Sequence, residues 1–148
     1  MKKSRLSLSV SALIIGAIPM TTLTVSPSAY AASDADCSIW LCLPTGFPSG
    51  CGDAKSAFKR RIKKLKPPLP NFSSCLLKNS PSGSSMSYKE NVAAKMPDGS
   101  YIHGRPCIYK RYNKDNITWT PYKCTGTWYY IDTYMGKQGY GERFYYQR

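Results

Sequence analysis

Residues 37–75, CSIWLCLPTGFPSGCGDAKSAFKRRIKKLKPPLPNFSSC, decide the fold. Behind Asp53, a residue suited to an N-cap because its carboxylate accepts a free backbone N–H, Ala54, Ala57, Phe58, Ile62 and Leu65 recur at helical period and form one apolar face. The spacing predicts a helix over 54–66. Pro67 and Pro68 stop it, since proline lacks an N–H and restricts its predecessor. Upstream, Ser33 or Asp34 is positioned to cap a shorter helix through Leu43. The intervening Leu-Pro-Thr-Gly-Phe-Pro-Ser-Gly, residues 43–50, is turn chemistry. Two helices and a turn make a helical hairpin.

Outward from this stretch, the N-terminus reads as a leader. Lys2, Lys3 and Arg5 precede an apolar run of 13 residues, 6–18, and Ala29-Tyr30-Ala31 has the small-x-small form of a signal-peptidase site. A membrane span needs ~20 apolar residues, so the expectation is a cleaved signal peptide, residues 1–31, with no membrane span after cleavage. Removing Lys2, Lys3 and Arg5 takes the formal charge of the 148-residue chain from +13 to +10. All six cysteines follow the cleavage point, and an even count in a short exported chain reads as a disulfide framework. Zinc is disfavoured: there is no Cys-x-x-Cys and His103 is the one histidine. Cys42 and Cys51 flank the hairpin loop, and Cys37 and Cys75 lie toward its far end. The preferred pairing is therefore Cys42–Cys51 and Cys37–Cys75, which leaves Cys107–Cys124, although six cysteines permit fifteen pairings.

Residues 79–87, Asn-Ser-Pro-Ser-Gly-Ser-Ser-Met-Ser, read as a linker closing a cysteine-rich segment, 32–78. Beyond it, 88–148 is rich in aromatic and β-branched residues. Met96-Pro97-Asp98-Gly99-Ser100 reads as a turn between extended runs, and 101–112, 117–123, 127–134 and 143–147 read as strands. Residues 114–116 and 136–139 read as their connections. The expected fold class is a small disulfide-rich α+β protein, an N-terminal helical hairpin followed by a small antiparallel β module. The length suits one small domain or two half-sized ones.

The basic helix carries the clearest functional signal. It holds Lys55, Lys59, Arg60, Arg61, Lys63, Lys64 and Lys66 without an acid. Like-charge pairs at i,i+4 each weaken a helix by roughly 0.2–0.5 kcal/mol. A face built only for solubility would mix in Glu. Lys55, Lys59, Arg60, Lys63 and Lys64 are the candidate anion- or partner-binding residues. The second candidate is aromatic: Trp119, Trp128, Tyr129, Tyr130, Tyr134, Tyr140, Phe144, Tyr145 and Tyr146, with Lys110, Arg111, Lys123 and Arg143 nearby. These rings suit stacking on bases or sugars, and they equally suit the core of a sheet poor in aliphatics. Catalysis finds no support, because the thiols are committed to bridges and the carboxylates are scattered. No cofactor or metal is expected.

The run Cys42-Leu-Pro-Thr-Gly-Phe-Pro-Ser-Gly-Cys51, the basic helix and then Pro68-Leu-Pro-Asn-Phe-Ser-Ser-Cys75 resemble the TrbM/KikA/MpfK family of conjugal transfer proteins. The likeness covers residues 37–75. It implies a periplasmic accessory component of type IV secretion and mating-pair formation, acting by binding rather than catalysis. Its partners would be other envelope proteins of the conjugation machinery. The alternative is a cationic, potentially toxic protein that recognises lipopolysaccharide, peptidoglycan or a membrane surface. Direct contact with DNA stays open.

Overall fold

A computed structural model describes residues 32–76 and 85–148. The expected leader, its cleavage point and most of the linker lie outside those residues. No helix among the described residues is long and apolar enough to cross a membrane.

The N-terminal part contains α1 (Asp34–Cys37), α2 (Ile39–Cys42), a 3-10 turn at Leu43–Thr45 and α3 (Gly52–Lys63). The first helix, expected to be continuous, breaks at Ser38. Its hydroxyl donates to the Asp34 carbonyl at 2.8 Å, a local bond that competes with the helical ladder. Ser33 is the N-cap and accepts from the Asp36 N–H.

The basic helix is corrected at both ends. It starts at Gly52, so Asp53 lies in the first turn, where it complements the helix dipole, and the cap position is Cys51. It stops at Lys63 rather than Lys66. Pro67 disfavours a helical Lys66, and the chain leaves through Leu65 at φ 52°. The N–H groups of Lys64, Leu65 and Lys66 fold back onto the carbonyls of Arg60, Arg61 and Ile62. Leu65 consequently leaves the expected apolar face and is 80% exposed. Ala54, Ala57 and Phe58 do face the core, with Ile62 packed at its edge.

Three bridges join Cys37–Cys75, Cys42–Cys51 and Cys107–Cys124, with Cα separations of 5.4, 5.9 and 5.8 Å. This is the pairing that spacing favoured. A second 3-10 turn, Phe72–Cys75, is capped by the Asn71 side chain and brings Cys75 back to α1.

The main sheet contains β1 (Met86–Lys95), β2 (Tyr101–His103), β5 (Gly126–Met135), β6 (Gln138–Gly139) and β7 (Phe144–Tyr146). Its order is β2-β1-β5, with β6 and β7 both paired to β5, and every pairing is antiparallel. β3 (Ile108–Asn113) and β4 (Asn116–Thr120) form a separate hairpin. Three expectations are corrected. The run 101–112 is two strands in different sheets, because Gly104 turns the chain at φ 75° and Pro106 withholds a ladder donor. Met86 and Ser87 open β1 instead of closing the linker, held by their pairing with Met135 and Tyr134. Gln138 and Gly139, expected as pure connection, pair as β6.

Both parts share one core. Ile39, Leu43, Ala57, Phe58 and Leu69 pack with Ile131 and Tyr146 of the sheet. The register explains which sheet face turns inward: Tyr88 opposes Thr133, Glu90 opposes Ile131, and Tyr146 opposes Tyr129. Gly141 makes the closest approach. At φ 72° it lies against Pro44, and a Cβ there would sit 2.3 Å from the Pro44 Cβ. The next residue, Glu142, donates its N–H to the Pro44 carbonyl at 2.8 Å.

Candidate functional site

A cleft runs between α3 and the C-terminal strand. Its volume is about 490 Å³, and its floor is Phe47, Phe58, Ile62, Phe144 and Tyr146, with the exposed Leu65 at its rim. The floor is rigid because its rings brace one another. Phe47 and Phe58 meet at 5.6 Å, Phe58 and Phe144 at 5.6 Å, and Phe58 and Tyr146 at 5.2 Å, the last two edge to face. Lys55, Lys59 and Lys63, with Gln147 and Arg148, complete the lining. The three lysines repeat every fourth residue, which places their Cα atoms ~6 Å apart along the helix. None of them pairs with a carboxylate among the described residues. Arg148 is already engaged, since it pairs with Glu90 and lies over the Tyr129 ring at 4.9 Å.

The remaining helix cations divide by role. Arg60 and Lys64 turn away from the cleft and line a shallow depression with Ser56, Lys59 and Lys63. Arg60 stands 3.8 Å from the Asp36 carboxylate and is half exposed. Arg61 is structural. It donates to the Pro67 and Leu69 carbonyls at 2.8 and 3.3 Å, lies 3.7 Å from Asp36, and so holds the proline strap that follows the helix. Of the five predicted residues, the structure brings Lys55, Lys59 and Lys63 to one cleft and leaves Arg60 and Lys64 beside it. Phe47, Leu65 and Arg148 line the cleft without having been singled out. Phe47 reads as turn sequence, and Leu65 reads as core until Pro67 is allowed to end the helix early.

The aromatic residues divide three ways. Tyr146 belongs to the core, and Tyr129 and Phe144 pack against it. Trp128, Tyr130 and Tyr145 lie on the outer sheet face, opposite Ala93, Asn91 and Tyr130 in register. There Tyr101 stacks on Tyr145 at 3.9 Å, and the His103 Nε2 lies 2.7 Å from the Tyr145 hydroxyl. The protein's own cations cover these rings. Arg143 lies 4.1 Å over Tyr130, while its guanidinium makes two 2.7 Å bonds to Asp132. Lys95 lies 4.6 Å over Trp128, and Lys89 lies 5.5 Å over Tyr134. Tyr140 is a loop residue whose backbone closes on Thr133. A face whose rings are capped in this way is a self-contained ladder, poorly suited to stacking on a base or sugar. Trp119, Lys110, Arg111 and Lys123 belong instead to the β3–β4 hairpin and its base.

No protein-family model, curated protein or solved structure matches this chain. The cleft's chemistry is therefore read from its own side chains. Burial pushes the Tyr146 phenol well above its ordinary range, and a hydrogen bond to Glu90 raises it further. Tyr146 thus stays protonated and offers the cleft a ring edge rather than a charge. Pockets that hold small ligands are mostly apolar with a few placed polar groups. Here those groups are three ammonium ions, unpaired among the described residues, above an aromatic floor. The three bridges leave no free cysteine among the described residues, as befits an oxidising, non-cytosolic compartment.

Proposed function

We propose that this protein is an exported, periplasmic accessory component of a bacterial conjugative type IV secretion machine, and that it works by binding. The surface that binds is the cleft along α3, and what it takes is a segment of an envelope partner that carries both apolar side chains and negative charge. The observation that carries this reading is the lining itself, aromatic below and lined along one side by Lys55, Lys59 and Lys63. The resemblance of residues 37–75 to conjugal transfer proteins supports the setting, and the bridges support an oxidising compartment. Leu65 adds a second line of support. A left-handed leucine costs about 1–2 kcal/mol relative to right-handed backbone. Here that cost leaves the side chain over the cleft and mostly in water. The Pro67 stop accounts for that backbone, and what it leaves is an apolar side chain at the cleft, placed to meet an apolar partner segment.

Two variants test the site in a mating assay. Lys55→Gln/Lys59→Gln/Lys63→Gln removes the lysines and relieves like-charge pairs, so folding is unchanged or slightly improved. Leu65→Asn suits the left-handed backbone better than leucine does. Both should lower plasmid transfer and crosslinking to envelope partners while export and melting stay normal. Normal transfer by both variants would leave the cations to serve solubility alone.

A further inference from the structure

The β3–β4 hairpin lies outside the shared core. None of its residues belongs to the buried cluster, and its strands are exposed along nearly their whole length. Two features hold it in place at its base: the Cys107–Cys124 bridge, and a pair of hydrogen bonds in which Cys107 N–H donates to Thr127 Oγ1 and that hydroxyl donates back to the Cys107 carbonyl. An isolated hairpin is marginal in water, so the staple keeps this one extended for ~20 Å, the length of a six-residue strand.

Five of the thirteen residues of the hairpin, Ile108–Thr120, are large apolar or aromatic side chains, and all five are exposed. Trp119 is 42% exposed, Tyr112 69% and Tyr122 74%, and Ile108, Tyr109 and Ile117 are also exposed. Register places Tyr109 opposite Trp119, and Arg111 opposite Ile117, on one face. Ile108 and Lys110 fall on the other face. Tyr112 is the unpaired extra residue where the register shifts. Around these side chains stand Arg105, Lys110, Arg111, Lys114 and Lys123, against one acid, Asp115. Tyr109, Ile117 and Trp119 thus share one face with Arg111, while Lys110 stands on the other, so the hairpin presents an aromatic face edged by cations. Trp and Tyr settle at the headgroup level of a bilayer, and Lys and Arg next to them are drawn to anionic headgroups.

We propose that the β3–β4 hairpin is a membrane-contact arm that enters the interfacial layer of an anionic phospholipid bilayer. Trp119, Tyr109 and Ile117 are the inserted residues, and Lys110, Arg111 and Lys114 engage the phosphates. The arm is separate from the α3 cleft and holds the protein at the membrane surface without a span.

The test uses the oxidised, exported protein with vesicles of phosphatidylcholine, and of phosphatidylcholine mixed with phosphatidylglycerol. Co-sedimentation should occur with the mixed vesicles and weaken as salt rises. Lys110→Gln/Arg111→Gln/Lys114→Gln should weaken it on the order of 100-fold, at the usual contribution of a cation near an anionic surface. Ile117→Ser/Trp119→Ser should weaken it roughly tenfold or more, through lost apolar burial. Brominated lipid should quench a tryptophan signal that Trp119→Phe removes. None of these residues belongs to the core, so melting should be unaffected. Lys55→Gln/Lys59→Gln/Lys63→Gln should bind vesicles as the parent does, which keeps this result distinct from that of the cleft. Failure of the parent to bind, equal binding to both vesicle types, or binding that only the helix variant loses would overturn the proposal. So would a lipid-free dimer that the hairpin variants dissolve, because the hairpin would then belong to a second copy of the chain.

Discussion

Gly141→Ala should uncouple the helical segment from the sheet. The residue sits at φ 72°, where an alanine costs about 1–2 kcal/mol. The larger effect is steric. The new Cβ would stand 2.3 Å from the Pro44 Cβ, 2.6 Å from its carbonyl oxygen and 2.9 Å from its carbonyl carbon. Carbon atoms pack at about 3.5–4.0 Å, so the loop must withdraw by more than an ångström. Two of the three atoms are backbone, in a buried proline of the bridged turn, and no rotamer change relieves the contact. Withdrawal also stretches the 2.8 Å bond from the Glu142 N–H to the Pro44 carbonyl. A buried acceptor left unsatisfied costs about 1–3 kcal/mol. Together these come to about 2–5 kcal/mol, a large share of the ~5–15 kcal/mol that stabilises a typical domain. The assay is urea unfolding of the oxidised protein, with Gly99→Ala as the reference. Gly99 has φ 85° but nothing within 4 Å of the added carbon, so it carries the conformational cost alone. Equal losses for the two variants would refute the close approach as the element that docks the two parts.

Two further outcomes follow from side chains already described. Arg61→Gln should destabilise by about 1–3 kcal/mol, since it strips a partner from the Pro67 and Leu69 carbonyls, whereas Arg60→Gln should change urea stability by less than about 0.5 kcal/mol. Tyr146 should make the fold alkali-sensitive. Its folded pKa is raised, first by burial and then by Glu90, so its contribution is fully present below the unfolded value of 10.0 and is lost as pH rises through the folded one. Stability measured by urea at rising pH should begin to fall as pH passes the unfolded value of 10.0, and Tyr146→Phe should flatten this part of the fall; an unchanged profile in the variant would assign the alkaline limit to another group.

The sequence by itself determined the local and covalent layers of this protein. Ala54, Ala57 and Phe58 recur at helical spacing and do face the core. Turn residues separated the extended runs, and the cysteines lay where short loops could close them, so the α+β class and the three bridges were legible. Each of these depends on neighbours in the chain or on loop closure. Tertiary structure decided what depends on distant contacts. Leu65 had the right spacing for the core, but Pro67 ended the helix and turned it over the cleft. Phe47 looked like loop sequence and became cleft floor, because Phe58 and Phe144 come to meet it. The aromatic residues of 88–148 shared one composition, and only pairing register could sort them into core, capped outer face and exposed hairpin. A one-residue shift in register exchanges the two faces of a strand. The helical segment and the sheet likewise carried no local mark of a common core. That depended on Gly141 lying against Pro44, a contact between residues nearly a hundred positions apart.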